Sequence, residues 1–209
     1  MQLPQFDHQD VEIVEKRTIW QGYFKMVKYF FRHRLYAGGQ SALIERELFE
    51  RGHAVAVIPY DPITDEVVLI EQFRVGALAG KQTPWLIEVV AGIIEEGEEP
   101  VDVAQRELAE ESGLSAISIE QVMSFLTSPG GTSERIDLFL AHVDSTTASK
   151  IAGLEDEGED IKVLRLNVDD AIAALDSGLI INGPTVIALQ WLARHLSCVR
   201  KDFLAASEV

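Results

Sequence analysis

The chain has 209 residues, of which 47% are hydrophobic, so it can bury one large core, with or without an appendage. No apolar run approaches the roughly 18–20 residues of a membrane span, and no basic start followed by an apolar stretch marks a secretory signal. A formal charge of −16 argues against bulk nucleic-acid binding, which needs a positive footprint. A small anionic substrate stays possible if arginines, a helix N-terminus or a metal supply local cations. Cys198 is the single cysteine, so an internal disulfide and a cysteine-based zinc site are both excluded. These features predict a cytoplasmic protein.

In chain order, residues 11–50 mix aromatic, β-branched and charged residues with partial alternation, which predicts strands with one wet face. "HAVAVIPY" (53–60) and "EVVLIEQFR" (66–74) predict a hairpin around the turn "DPITD" (61–65). "WLIEVVAG" (85–92) predicts one further strand. Residues 100–112 predict a helix, with Pro100 in the first turn and Gly113 just past the end. Strands follow at "SIEQVMSFLTS" and "RIDLFLAHVD", around the loop "PGGTSE" (129–134). A polar stretch (145–160) leads to a strand (161–168) and to helices over 168–178 and 184–196. Many strands and few helices, without strict βαβ alternation, predict an α+β fold with a mixed sheet.

The segment "AGIIEEGEEPVDVAQRELAEESGL" (91–114) carries an unusual load of carboxylates. Glu107, Glu110 and Glu111 stand at i, i+3 and i+4, so at about 100° per residue they share one helix face. Such a face is either a solvated acidic surface or a site for a hard cation, which would reverse the repulsion. The wider spacing separates the two readings. Gly92, five residues, Glu98, seven residues and "RELAEESGL" from Arg106 to Leu114 match every fixed position of one signature. On these residues the chain resembles the Nudix hydrolase superfamily.

That resemblance implies an α/β/α sandwich with a mixed sheet and hydrolysis of a nucleoside diphosphate linked to a further group. It implies Mg2+ as cofactor, with Mn2+ able to substitute. Glu107 and Glu111 correspond to central metal ligands, with the Ala91 carbonyl as a further ligand and Glu110 as either a further ligand or a group behind the ligands. Gly92, Glu98, Arg106 and Gly113 correspond to the structural positions of the signature. Arg106 would orient the helix carboxylates by charge-assisted pairing.

Outside the signature, Pro129 lies fifteen residues after Leu114. With "LFERGHAV" (48–55), "DEVVLIEQFR" (65–74), "SFLTSPGGTSE" (124–134), "TTASKIAGLEDEGEDI" (146–161) and "VIALQWL" (186–192), it resembles the bacterial ADP-ribose pyrophosphatase group of that superfamily. By this resemblance Glu157 corresponds to a general base and Glu159 to a metal contact from a mobile loop. Arg46, Arg74 and Glu134 correspond to substrate contacts, and Tyr23 to an aromatic against adenine, with core packing as its alternative. The resemblance further implies residues 1–50 as a β segment exchanged in a homodimer and 51–209 as the hydrolase domain. Two other readings remain: a Nudix enzyme for another nucleoside diphosphate sugar such as GDP-mannose, and a non-catalytic domain that binds ADP-ribose. Trp85 and Trp191 are expected in the core or an interface, and His53 in a structural role. Neither nucleic acid nor membrane is expected as a partner.

Overall fold

The hairpin expected around residues 61–65 forms, and Asp61 explains why. Its Oδ1 accepts hydrogen bonds from the backbone N–H groups of Ile63 (2.8 Å) and Thr64 (3.2 Å), which closes the turn. The structure is a computed structural model describing residues 5–207. It divides into two units, Met1–Gly52 with Ser128–Glu134, and His53–Thr127 with Arg135–Val209.

The first unit is an antiparallel sheet of β1 (Val11–Gln21), β2 (Lys25–His33) and β3 (Ile44–Glu50), with β2 in the middle. Cross-strand ion pairs Lys16–Glu50 (2.9 Å) and Lys28–Glu45 (2.6 Å) follow from its charged alternation. Every residue of β1 is exposed, including Ile13 and Trp20. The loop 128–134 belongs to this unit: Phe49 donates its N–H to the Gly131 carbonyl at 2.8 Å.

The second unit is built on a mixed sheet in the order β10-β11-β5-β4-β9-β8. Its strands are β4 (His53–Asp61), β5 (Glu66–Phe73), β8 (Ser118–Leu126), β9 (Arg135–His142), β10 (Ile151–Ala152) and β11 (Ile161–Asn167). The β4–β9 pairing is parallel and the others are antiparallel. Period-2 alternation sends apolar side chains to both faces. Val55, Val57, Val68, Ile70 and Phe139 pack against Val103, Ala104 and Leu108 of α1 (Pro100–Ser112). Ile58, Tyr60, Leu69, Leu138 and Leu140 pack with Val168 and Ala171 of α2 (Val168–Asp176) and with Leu189, Leu192 and Phe203 of α3 (Gly183–Ser207). The result is the expected helix–sheet–helix layering. Each fully buried Leu or Ile contributes about 1.5–3 kcal/mol relative to exposure.

Two elements differ from the sequence expectation. The strand expected over 85–92 is two strands, β6 (Trp85–Glu88) and β7 (Val90–Ile94). β4 and β5 pair only near their turn, at Tyr60–Val67 and Asp61–Glu66. Beyond it they diverge: β6 pairs with β5, and β7 with β4. The chain therefore changes partner at Val89, whose N–H goes to the Thr185 hydroxyl (3.0 Å) instead of to a ladder. The last helix also runs on to Ser207, past residue 196. Leu189, Leu192, Leu196, Val199 and Phe203 continue one apolar stripe at alternating spacings of three and four, through the polar text that masked it.

Candidate active site

The site grows from the C-terminal half of α1. Pro100 occupies the first turn, and Gly113 ends the helix in the left-handed region (φ 72°), with its N–H on the Ala109 carbonyl at 2.9 Å. Leu108 and Ala104 lock one face into the core, which carries Glu111 inward. Glu111 is 2% exposed; its Oε2 accepts the N–H of Ala91 at 2.9 Å, and Gln72 Nε2 reaches its Oε1 at 3.4 Å.

Glu107 lies over β7. A Cβ on Gly92 would sit 2.0 Å from the Glu107 carboxyl carbon, so glycine here makes room for that carboxylate. Arg106 ties the acidic face together, with Nη1 at 2.9 Å from Glu107 and 3.3 Å from Glu110, and Nη2 at 3.6 Å from Glu98. Glu98 in turn accepts the Glu95 N–H at 2.8 Å, which closes the loop before the helix.

The polar stretch 145–160 folds over the end of α1. Ser149 N–H donates to the Ser112 carbonyl (2.9 Å) and Gly153 N–H to the Glu110 carbonyl (3.1 Å). Glu159 accepts the Leu154 N–H at 3.2 Å and shapes this loop. The loop carboxylates reach the helix electrostatically. Burial pushes Glu107 up to about 7; Arg106 opposes this, while Glu110, Glu159 and Glu157 add to it. Burial likewise pushes Glu111 up to about 8, against the Ala91 N–H and with the help of Glu107 and Glu159. Residues far apart in sequence thus form one field of excess negative charge.

Hard carboxylate oxygens with too few donors are the chemistry a divalent cation such as magnesium satisfies. The donor set fits such an ion. As they stand, no three such side chains among the described residues close into a ready cage, and Arg106 pairs with Glu107 and Glu110. Cation binding would draw carboxylates away from Arg106.

Arg74 follows directly on the end of β5. Its Nε and Nη2 both donate to one oxygen of Glu88, at 3.0 and 2.8 Å. Among the described residues no further hydrogen bond engages its other N–H groups, and Glu111 and Glu159 act on the guanidinium electrostatically. Arg46, Tyr23 and Glu134 belong to the first unit. Arg46 is exposed on β3, with Nη1 on the Glu45 carbonyl (2.7 Å). Tyr23 is 88% exposed against the edge of Phe24, which rules out the core-packing alternative. Glu134 is buried and paired with Arg51 at 3.1 Å. Trp85, expected in the core or an interface, is exposed and so not in the core, with its ring edge-on to Phe73. His53 accepts the Arg135 N–H, as a structural residue would.

Sequence reasoning missed Glu88, Gln72, Asn182 and Thr185. One signal was present: Glu88 is the lone charge in an apolar run, "WLIEVVAG".

This constellation defines a class. The chain belongs to the NUDIX domain family, which matches residues 50–183. Among its relatives, the ADP-ribose pyrophosphatase of Escherichia coli (strain K12) is 50% identical over 198 residues, 95% of each chain. That of Haemophilus influenzae is 45% identical, over 97% of this chain and 94% of the relative. A GDP-mannose pyrophosphatase of Pectobacterium atrosepticum is 32% identical, over 86% of this chain and 92% of the relative. A solved structure described as the crystal structure of ADP compounds hydrolase has the same fold, with TM-score 0.68 at 21% identity, over 91% of this chain and 98% of that one.

Proposed function

We propose that this chain hydrolyses ADP-ribose to AMP and ribose 5-phosphate in a magnesium-dependent reaction, with manganese able to substitute. The observation that carries the chemistry is the pair of half-buried Glu107 and buried Glu111, raised to about 7 and 8 by burial and by neighbouring carboxylates of α1 and of the 145–160 loop. The substrate choice is supported by the drop from 50% identity with ADP-ribose pyrophosphatases to 32% with a GDP-mannose enzyme.

In this reading Glu107, Glu110, Glu111, Glu159 and the Ala91 carbonyl hold the cation. When bound, it neutralises diphosphate oxygens and lowers the pKa of the attacking water. Glu157 takes the proton from that water. The water oxygen bonds to phosphorus, and the anhydride P–O bond breaks with its electrons on the departing phosphate. Arg74 binds the diphosphate with the N–H groups that Glu88 leaves free. Arg106 and Glu98 hold the acidic helix and its loop in register, and Gly92 keeps space for Glu107. Arg46, Tyr23 and Glu134 are assigned to substrate contact on the resemblance alone.

The reading includes a cytoplasmic homodimer joined through residues 1–50, which the exposed apolar residues of β1 support; light scattering reads the mass. Among the described residues no helix is long and apolar enough to cross a membrane.

The test is kcat/KM on ADP-ribose and GDP-mannose side by side with magnesium, with products identified by 31P NMR. Preference for ADP-ribose with AMP as product is expected. Preference for the guanine substrate overturns the substrate choice, and tight binding without product overturns catalysis.

A further inference from the structure

Glu88 is 3% exposed, and it sits one residue before the point where the chain leaves β5 for β4. A buried carboxylate is costly unless its oxygens are met by donors. Its Oε2 is met by Arg74 through two N–H groups, with Gln72 Nε2 at 3.4 Å. Its Oε1 is met by Asn182 Nδ2 at 2.9 Å.

Asn182 has a second task. It lies just before α3, and its Oδ1 accepts both the Thr185 N–H (3.0 Å) and the Thr185 hydroxyl (2.8 Å). That is an N-cap interaction. Thr185 is fully buried, and its oxygen also accepts the Val89 N–H at 3.0 Å. The bonds close a ring: Val89 N–H to Thr185, Thr185 to Asn182, Asn182 to Glu88, and Glu88 through the peptide back to Val89. The ring staples the start of α3 to the partner switch between β6 and β7. Two residues past that switch, Ala91 N–H meets Glu111.

Within this ring each donor fixes one degree of freedom. A carboxylate held at one oxygen rotates about its last bond. Asn182 on Oε1 sets the plane of Glu88 and so the direction in which Oε2 faces Arg74. Arg74 is then held through Nε and Nη2 on a single oxygen, which leaves Nη1 out of the pairing. We infer that Asn182 is a positioning residue: through Glu88 it aims the Arg74 guanidinium at the substrate's diphosphate. This rests on the proposed role of Arg74 in substrate binding.

The test separates capping from aiming. Asn182→Ser keeps an equally good N-cap oxygen but removes the Nδ2 donor. The full-length variant should keep its helix and fold, as circular dichroism and a cooperative melt would read. With ADP-ribose and magnesium, its KM should rise about tenfold while kcat changes by less than about threefold. Asn182→Asp keeps the cap but sets an acceptor against Glu88; it should raise KM at least as much, and more at high pH than at low pH. The decisive arm is a double-mutant cycle. In an Arg74→Ala background, which itself raises KM, Asn182→Ser should add no further increase.

An unchanged KM in Asn182→Ser, or the same factor in both backgrounds, overturns the positioning role and leaves the Arg74 assignment standing. An unchanged KM in Arg74→Ala overturns that assignment, and the inference falls with it.

Discussion

At the β4–β5 turn Asp61 is 3% exposed, and on α1 Glu111 is 2% exposed, yet their carboxyls are pushed in opposite directions. Burial acts on both. At Asp61 it is outweighed by the backbone N–H groups of Ser145, Ile63 and Thr64, so Asp61 lies below the usual carboxylate range. Nearby, the Ser145 hydroxyl holds Glu66 down, and Arg165 adds to this at 2.7 Å. At Glu111 one backbone N–H and a long amide contact leave burial on top, and other carboxylates add to it. A buried carboxylate with a full set of donors is architecture. One left short of donors, among like charges, is poised for a cation.

The largest expected effect breaks the second cluster. Glu111→Gln should lower kcat by more than about 10²-fold, because a charge aimed at the reacting region is lost. The metal-free variant should be no less stable than the parent at pH 8, since a neutral side chain replaces a carboxylate that resists ionising. Steady-state kinetics and a melt without metal check both halves.

Gly92→Ala comes next. The new methyl would collide with the Glu107 carboxylate, so turnover should fall about 10²-fold while the β4–β7 ladder persists. Normal turnover would mean that Glu107 is not held where the reaction needs it.

Acidity sharpens the comparison further. Glu107 and Glu111 have folded values above the ordinary carboxylate value of 4.5, so the metal-free folded state binds more protons than the unfolded chain between about 5 and 8. Its stability should therefore fall as pH rises through that window, by about a few kcal/mol at some 1.4 kcal/mol per unit. Magnesium should remove most of this loss. Asp61 and Glu66 have lowered values, so their contribution is present at neutral pH and lost as pH falls below their folded values. Melts from pH 3 to pH 9, with and without magnesium, should show a metal-sensitive alkaline limb and a metal-insensitive acid limb.

The smallest effect tests the first cluster. Asp61→Asn presents its amide to a backbone N–H, of Ser145 in one orientation and of Ile63 and Thr64 in the other. It should cost about 1–3 kcal/mol, with kcat and KM unchanged. A large loss of turnover at full folding would blur the distinction between the clusters.

Much of α1 was legible in the sequence. The spacing from Gly92 to Leu114 marks helix, caps and acidic face, because i, i+3 and i+4 positions share a face whatever the rest of the chain does. The hairpin at 61–65 was legible for the same local reason, an aspartate that bonds the turn it begins. The break at Val89 was not. An apolar run reads as one strand whether it keeps one partner or changes partners midway. The extension of α3 was hidden by polar residues between Leu196 and Phe203, whose stripe matters only once the sheet face it covers is known. The contacts of Asn182 with Glu88 and of Thr185 with Val89 carried no signal, since those partners lie about ninety residues earlier in the chain.

By itself the sequence determined which residues could share a helix face, where α1 and the 61–65 turn begin and end, and that carboxylates crowd one segment. Those are consequences of local geometry and covalent order. Tertiary structure alone decided which carboxylates are short of donors. It brought Glu157 and Glu159 into the field of Glu107, buried Glu111 against β7, and closed the ring that joins Glu88, Asn182, Thr185 and Val89. Burial and donor supply depend on what packs around a group, and that is set by the whole fold.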